Sequence, residues 1–413
     1  MIEKKIVIVG AGPAGCATAL FLAQKKIPHI LIEKYNFPRD KICGDALSGK
    51  TVAVLNKINP DLVHNFVQNT STYLPSYGCI FGAPNGKTID IPFFTDSSKL
   101  NIPPGFLAKR IDFDYHLFQQ LDNKYTTLIQ PAELTSLQKK LNSWTLEYKI
   151  NNEVKSIDNI KLIVGADGAH SLVRKTMFQN QIERNHYAAG VRAYYENVQG
   201  FHEKQYIELL FLPEVLPGYI WLFPLANNTA NVGIGMLSKV ISKNKINLTK
   251  LLQKTMVENP VLKSRFAHAK QLSNFSGWGL PLGGRKRPLS GDGFILTGDA
   301  ASLIDPFTGE GIGNALYSGM VAADTIEKAF NKDDFSASTL YNFDEIFYKK
   351  QWSELAISDK LLRLCQYPWL FNFIVNKANK NTELQKLISC MFVDLNARAK
   401  LKNPIFYLKL LFS

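Results

Sequence analysis

The sequence predicts an α/β fold in which a parallel sheet is interleaved with a second, strand-rich domain and followed by a helical region. A strand-turn-helix-strand pattern occupies residues 6–33, and strand-loop-helix segments recur at 160–174 and 293–329. Between them, residues 188–236 are rich in strands and aromatic side chains. Strands that alternate with helices are typical of parallel sheets. Because a chain of 413 residues is too long to form one compact core, we expect two or three domains.

The composition is that of a globular protein with an unusual excess of positive charge. Hydrophobic residues make up 46% and charged residues 20%, but the net charge is +13. Such an excess favours an acidic partner, such as a phosphate-bearing cofactor, an anionic lipid or a nucleic acid. The chain has no nucleic-acid-binding module and no concentrated basic tract, so we expect a cofactor or a membrane surface and no nucleic acid.

The cysteines indicate a reducing compartment. They are odd in number and widely scattered, at Cys16, Cys43, Cys79, Cys365 and Cys390. This spacing fits neither a disulfide framework nor a metal site. The chain enters its first strand without room for a signal peptide, and it has no apolar run long enough to span a bilayer. We therefore expect a cytoplasmic protein without a bound metal.

The segment 6–33 has the features of a dinucleotide-binding unit. Its turn reads Gly10-Ala11-Gly12-Pro13-Ala14-Gly15. Gly10 permits a tight turn, Gly12 lets the backbone approach a pyrophosphate, and Gly15 lets the helix pack close to the strand. The helix N-terminus then directs N–H groups at the pyrophosphate, and Glu33, at the end of the second strand, can accept hydrogen bonds from a ribose. The motif alone does not show whether the unit binds NAD or FAD.

The loop that follows Glu33 contains basic residues, beginning with Lys34, that could reach cofactor phosphates. Its Cys43-Gly44 pair could bring a small, polarizable side chain close to a flat ring. The alternative is a surface loop with a partly buried thiol, and the local sequence leaves both interpretations open.

Helices are expected at 51–66 and from residue 109, and short strands at 73–94. Residues 126–150 are expected to form the strands of a meander, which breaks at Asn151 and Asn152. Arg110 precedes the apolar face of the second helix and is free to point elsewhere.

Two later segments repeat the strand-turn-helix pattern. The first contains the Asp167-Gly168 turn, and its density of Gly and Asp favours a second cofactor contact over an ordinary connection. In the second, Asp299 ends a strand and can hold a sugar-alcohol hydroxyl, while the N–H groups of Gly311 and Ile312 can face an electron-rich ring.

Alternation along residues 217–224 places Tyr219, Trp221 and Phe223 on one face of a strand. Three aromatic residues on one face are most often core, and they would also form a wall for an extended apolar substrate. Beyond residue 334 the sequence predicts helices. The segment 399–412 is both basic and apolar, which is typical of a segment that lies on a membrane surface and equally of a helix docked on its own protein.

Together these motifs resemble the FAD-dependent oxidoreductases with the para-hydroxybenzoate hydroxylase-like fold, over about residues 1–330. The resemblance implies a Rossmann-like FAD-binding domain at 1–70, 100–187 and 285–334, interleaved with a β-sheet substrate domain at 71–99 and 188–284, with a C-terminal helical region at 335–413. It implies cofactor contacts by Gly10, Gly12, Pro13, Ala14, Gly15, Glu33, Lys34, Gly44, Arg110, Ala132, Asp167, Gly168, Asp299, Gly309, Gly311 and Ile312.

Within that superfamily, Lys41-Ile42-Cys43-Gly44-Asp45 and the segment 219–224 look like the geranylgeranyl reductase branch. That branch has a K-x-C-G-G-like loop, so Asp45 stands where a second glycine is usual. The resemblance implies reduction of alkene bonds in a polyprenyl chain or another long apolar substrate. It assigns Cys43 as the catalytic candidate beside the ring, and Tyr219, Trp221 and Phe223 to the substrate.

No second dinucleotide fingerprint is visible, so NAD(P)H, or another reductant such as an electron-donor protein, would bind transiently. Two enzyme classes share the cofactor motifs and stay as alternatives: a flavin-dependent monooxygenase that hydroxylates its substrate, and a flavin-dependent halogenase, on an aromatic or polyene substrate. A non-catalytic FAD-binding protein or a membrane-associated scaffold protein is the third alternative.

Overall fold

The computed structural model describes residues 5–93, 101–178 and 183–381. Its strands are β1 Lys5–Val9, β2 His29–Ile32, β3 Ala46–Leu47, β4 Leu74–Ser76, β5 Gly78–Gly82, β6 Thr88–Pro92, β7 Gly105–Leu107, β8 Thr126–Ile129, β9 Glu133–Lys139, β10 Trp144–Ile150, β11 Glu153–Gly165, β12 Tyr187–Glu196, β13 Ile207–Leu210, β14 Gly218–Leu225, β15 Thr229–Leu237, β16 Lys270–Gln271, β17 Ser276–Pro281, β18 Ser290–Gly291 and β19 Phe294–Leu296. Its α-helices are α1 Pro13–Gln24, α2 Gly49–Ile58, α3 Pro60–Gln68, α4 Arg110–Phe118, α5 Leu172–Phe178, α6 Ser238–Asn244, α7 Leu248–Glu258, α8 Pro260–Arg265, α9 Ile312–Lys332, α10 Ala337–Leu364 and α11 Pro368–Ala378.

The first sheet has a parallel centre in the order β8-β2-β1-β11-β19, with β18 antiparallel at its edge. β1 is apolar and almost fully buried, as expected for a strand covered by helices on both faces. The predicted meander is formed by β9, β10 and the first half of β11. The turn between β10 and β11 consists of Asn151 and Asn152, both of which have positive φ. β8 is not part of that meander, because its backbone pairs in parallel with β2.

The second sheet runs in the order β16-β12-β15-β14-β13-β5-β6, with β17 also paired to β12. Its pairs are antiparallel except for β13 and β5. The aromatic strand β14 lies inside this sheet, between β13 and β15. β4 belongs to a separate three-stranded sheet, in the order β3-β7-β4. The mixed α/β fold predicted from the sequence is thus confirmed.

Helices α1 and α9 cross closely because small residues line their contact. A Cβ atom on Gly319 would lie 2.6 Å from the backbone oxygen of Ala14, so the helices could not approach as they do with a larger residue there. A Cβ atom on Gly298 would meet the Cβ atoms of both Ala14 and Ala315, at 3.0 and 3.3 Å. The first turns of α1 and α9 therefore meet at the end of β19.

The predicted C-terminal helices are present within the described residues. α10 packs on α9 and β18 and buries Phe343 and Phe347. In α11, the ring centroid of Phe371 lies 4.6 Å from that of Phe211, the residue directly after β13 of the second sheet. No helix among residues 5–93, 101–178 and 183–381 combines the length and hydropathy that crossing a bilayer requires. The basic and apolar segment 399–412 lies outside the described residues.

Candidate active site

A cavity of about 940 Å³ lies where the three strand-loop-helix segments meet the second sheet. This volume is at the upper end of the range for small-molecule and cofactor sites. Every site residue named from the sequence borders the cavity except Gly15: Gly10, Gly12, Pro13, Ala14, Glu33, Lys34, Cys43, Gly44, Arg110, Ala132, Asp167, Gly168, Tyr219, Trp221, Phe223, Asp299, Gly309, Gly311 and Ile312. The three aromatic residues and the glycine turns therefore face one space.

The absence of a Cβ atom leaves room for a different group at each glycine of the first turn. A Cβ atom on Gly15 would lie 1.8 Å from the backbone oxygen of Gly10, so Gly15 permits the packing of α1 and does not reach the cavity. Gly10 has φ +99, and a Cβ atom there would lie 2.5 Å from the oxygen of Ala166. A Cβ atom on Gly12 would meet, among the described residues within 4 Å, only the Arg39 side chain at 3.7 Å. Gly12 thus leaves its space open to a ligand.

Gly12 is also the N-cap of α1, and no side chain of the described residues caps it. The first N–H groups of a helix have no partner within the helix, and the helix dipole makes that end positive. Pro13, at the first helical position, has no N–H and suits this place. The open end of α1 therefore fits a phosphate group of a ligand in the cavity.

Glu33 is held rigidly at the end of β2. One carboxylate oxygen accepts a hydrogen bond from the backbone N–H of Ala11 at 2.7 Å, and the other accepts from Tyr35 N–H at 2.9 Å. Each oxygen keeps a lone pair for a ligand hydroxyl. The neighbouring Lys34 is half exposed and forms an ion pair with Glu133 at 2.7 Å.

Arg110 points away from the apolar face of α4 and borders the cavity, but it is not free to turn. Its Nε and Nη2 atoms donate to the two oxygens of Asp114 at 2.6 and 2.7 Å, and Arg39 donates to the same carboxylate at 2.8 Å. Burial alone would lower the pKa of Arg110, but Asp114 and the Cys43 thiol more than offset it and raise this pKa. A permanent positive charge is thereby fixed beside the cavity.

The acid of the second turn, Asp167, also has a structural role. Asp167 accepts hydrogen bonds from the backbone N–H groups of Leu172 and Val173, so its carboxylate caps α5. A ligand would therefore meet the backbone of this turn, where Gly168 has φ +77. Asp299 lies 3.7 Å from the Lys41 ammonium.

The aromatic residues of β14 form one wall of the cavity. The Trp221 ring centroid lies 6.3 Å from that of Tyr219 and 6.5 Å from that of Phe223. The Tyr219 hydroxyl donates to the Thr308 backbone oxygen at 2.7 Å, which links this wall to the loop before α9. A Cβ atom on Gly44 would lie 3.0 Å from the Phe223 ring, so Gly44 lets the Cys43 loop approach the wall.

A polar group that sequence reasoning missed supports the Cys43 loop. The side-chain amide of Asn231 donates to the Cys43 backbone oxygen at 2.7 Å and to Asp45 at 2.8 Å, and it accepts from Trp221 Nε1 at 2.8 Å. Tyr194 also donates to Asp45, at 2.8 Å. No local pattern marks Asn231 or Tyr194, because their partners come from distant parts of the chain.

The family model for the FAD binding domain matches residues 3–325 of this chain. The chain belongs to the FAD binding domain family. The features that fit FAD are the open helix N-terminus at Gly12, the fixed acid Glu33 at the end of β2 and the size of the cavity. When bound, FAD supplies hydride and electron transfer. The protein is an FAD-dependent oxidoreductase.

Several characterised and solved proteins resemble this family member. A digeranylgeranylglycerophospholipid reductase of Thermoplasma acidophilum is 27% identical over 368 residues, which cover 87% of this chain and 88% of the relative. A solved geranylgeranyl bacteriochlorophyll reductase-like protein from the same organism has a TM-score of 0.79 at 23% identity, covering 96% of this chain and 98% of its own. The flavin-dependent brominase Bmp2 has a TM-score of 0.75 at 21% identity, with 98% of each chain covered. Likeness at this level to the two solved structures shows the shared fold.

Proposed function

We propose that this FAD-dependent enzyme saturates isolated alkene bonds in a polyprenyl chain or another long apolar substrate. The observation that carries the proposal is the position of the β14 wall and the Cys43 loop, which border the same cavity as the glycine turn of α1. An apolar wall beside a hydride-supplying cofactor suits a hydrocarbon chain better than a charged substrate. The similarity to a digeranylgeranylglycerophospholipid reductase supports the same substrate class.

An isolated alkene is a poor hydride acceptor, so the site has to provide a proton as hydride arrives. In this proposal the glycine turn and Glu33 hold the cofactor, and Tyr219, Trp221 and Phe223 hold the apolar chain and exclude water. Cys43, which borders the same cavity, assists the proton transfer. Its backbone is held by Asn231, which fixes the distance between the loop and the wall.

Reduction of the cofactor requires a donor. We expect NAD(P)H, or another reductant such as an electron-donor protein, to bind transiently at the flavin. The donor is identified by anaerobic reduction of the bound flavin with NADH, with NADPH and with reduced ferredoxin, followed by the loss of flavin absorbance.

A cytoplasmic enzyme that takes a lipid substrate also needs contact with a bilayer, and we propose that the basic segment 399–412 provides it. Co-sedimentation with anionic and with neutral vesicles tests this, using the full chain and a chain that ends at residue 398. Binding that depends on anionic lipid and is lost on truncation supports a peripheral location. Equal sedimentation of both chains contradicts it.

The test of the reaction uses the purified holoenzyme, reduced anaerobically and mixed with a geranylgeranyl lipid. Flavin reoxidation with a gain of two hydrogen atoms per reduced bond supports the proposal, and Cys43→Ala should slow that reoxidation. Reoxidation only after O₂ is admitted, with oxygen or halogen found in the product, would instead support the hydroxylase or halogenase hypothesis. The likeness to a brominase shows the fold alone, so it does not favour that outcome.

A further inference from the structure

Gly190 lies inside strand β12, and nothing in the described part of the fold requires a glycine there. Its pairing with β15 and with β17 is regular on both sides, so it does not mark a bulge. Its φ lies outside the left-handed region. A Cβ atom on Gly190 would lie 3.4 Å from the nearest described atoms beyond its chain neighbours, which is ordinary contact. An alanine would therefore fit.

Gly233, which pairs with Trp221 across β14 and β15, differs from Gly190 in this respect. A Cβ atom on Gly233 would lie 2.1 Å from Cζ2 of Trp221 and 2.5 Å from the Val191 backbone oxygen, so packing within the protein excludes a side chain there. A glycine inside a strand weakens the strand, and it often marks a place where another group approaches the backbone closely. Because Gly190 borders the cavity, the group that approaches it is a ligand.

The surface around Gly190 is apolar and lies between two tryptophans. A Cβ atom on Gly190 would lie 3.4 Å from Cη2 of Trp221 and 3.8 Å from Cδ1 of Leu280, and Gly190 pairs directly with Trp278 of β17. All four residues border the cavity. They form the Gly190 groove, which has Gly190 as its floor and the three apolar side chains on its sides.

The Trp221 indole connects this groove to the Cys43 loop. Its Nε1 atom lies at the end near the loop, since a Cβ atom on Gly44 would be 3.6 Å from it. Its Cη2 atom, on the other ring of the indole, lies at the Gly190 end. A chain that crosses the indole on the side of the cavity thus passes from the loop of the catalytic candidate to the Gly190 groove.

The groove reaches polar groups beyond Trp278. The Lys41 ammonium lies 5.0 Å from the centroid of the Trp278 ring, and the centroid of the His170 ring lies 5.2 Å from it. Both residues border the cavity, and His170 is exposed. The Gly190 groove therefore leads from the buried aromatic wall to an end that solvent reaches.

We propose that the Gly190 groove binds the part of the apolar substrate chain that extends beyond the reacting bond. The inference rests on the proposed function, which supplies a long hydrocarbon chain as the ligand. Apolar sides suit such a chain, and the missing side chain leaves room for it beside the backbone. Gly190 is then a residue that determines specificity, because a side chain there would block a long chain but not one that ends before the groove.

The test measures binding, so its result does not depend on catalysis. The oxidised holoenzyme is titrated by calorimetry with geranylgeranyl diphosphate and with geranyl diphosphate, which has the same head group and a shorter chain. In Gly190→Val, the affinity for the longer probe should fall at least about 10-fold relative to the affinity for the shorter one. The purified variant should carry as much FAD as the wild type.

Gly277→Val is the matched control. It introduces the same side chain at an exposed position of β17 that does not border the cavity, so both probes should bind with wild-type affinity. If Gly190→Val fails to fold, Trp278→Ala tests the opposite side of the groove without a change in β12. It should weaken the binding of the longer probe more than that of the shorter one, because it removes apolar contact with the chain.

Wild-type affinity for the longer probe in Gly190→Val, or an equal loss for both probes, would overturn the role of the groove. Loss of FAD from this variant would also overturn it, because the cofactor would then be the group that needs the space. The proposed function fails separately. A wild type that reduces no alkene, but binds the longer probe in a way that Gly190→Val selectively weakens, would keep the groove and overturn the proposed reaction.

Discussion

The Asn231 side chain donates a hydrogen bond to the backbone oxygen of Cys43 at 2.7 Å, across 188 positions of sequence. This contact ties the Cys43 loop of the cofactor region to strand β15 of the second sheet. The same side chain accepts a hydrogen bond from Trp221 of the aromatic wall. A single amide thus sets the position of the loop relative to the wall.

Replacement of Asn231 should therefore be costly. In Asn231→Ala, the Trp221 Nε1–H and the Cys43 oxygen lose a buried partner, and we expect a loss of about 3 kcal/mol in the free energy of unfolding. Urea denaturation measures it. Asn142→Ala, an exposed site, serves as the control and should change stability by less than about 0.5 kcal/mol. Equal stability of the two variants would contradict a structural role for Asn231.

Asp114 should be needed to keep Arg110 buried. Asp114→Asn leaves the guanidinium without its bidentate partner, and we expect a loss of about 3–5 kcal/mol. Asp112→Asn makes the same change on an exposed position of α4 and should have little effect. Thermal unfolding of both variants provides the comparison, and a small effect of Asp114→Asn would mean that water reaches Arg110.

The same carboxylate should contribute to acid sensitivity. Burial raises the pKa of Asp114, but Arg110 and Arg39 outweigh that effect and lower the pKa below its ordinary value. A lowered pKa stabilises the fold at pH values above the unfolded-state pKa of about 3.9, and the contribution is lost as pH falls through the folded-state pKa. The stability of the wild type should thus fall more steeply below pH ~4 than that of Asp114→Asn.

Asp45 should have the opposite dependence on pH. Its pKa is raised to about 6, so the folded protein holds this proton at pH values where the unfolded chain has released it. Stability then falls as pH rises from about 4 to about 6, by roughly 3 kcal/mol in total. Asp45→Asn should be more stable than the wild type at pH 7 but not at pH 4, as measured by chemical denaturation. A constant difference between the two across this range would refute the linkage.

The two glycines of the first turn should separate cofactor binding from folding. Gly12→Ala places its Cβ atom in the cavity, so the apoprotein should keep its melting temperature and lose FAD affinity at least about 10-fold. Gly15→Ala drives its Cβ atom into the Gly10 carbonyl and should lower the melting temperature of the apoprotein itself. Flavin titration and thermal unfolding of both variants measure these effects. If Gly12→Ala bound FAD normally, the ligand would not approach that backbone.

Features encoded over short stretches were predictable from the sequence. The β1-α1-β2 unit follows from a run of apolar residues, a glycine turn and a helical pattern, all within residues 6–33. Local signals of this kind decide whether a segment forms a strand or a helix. The FAD family and the fold class were confirmed for this reason. The roles given to individual site residues stay predictions, although all but Gly15 border the cavity.

Contacts between distant residues were not predictable in this way. The partners of Asp45 are Tyr194 and Asn231, about 150 and 190 positions away, and no periodicity links them. The sequence marked Asp45 only as a departure from a family pattern, and the structure gives that residue a buried, asymmetrically hydrogen-bonded carboxyl. Similarly, the sequence pattern of β8 is like that of the meander strands that follow it. Its actual partner is β2, from a distant part of the chain, and the two strands pair in parallel.

The close contact between helices α1 and α9 can form only late in the synthesis of the chain. Ala14 leaves the ribosome roughly 300 residues before Gly319, the residue on which it packs, so the apolar face of α1 has no permanent cover for most of synthesis. Surface of this kind is a target for chaperones and a site of aggregation. We expect nascent chains that stop before residue 312 to aggregate or to be retained by chaperones, and α1 to gain its permanent cover only when α9 has been made.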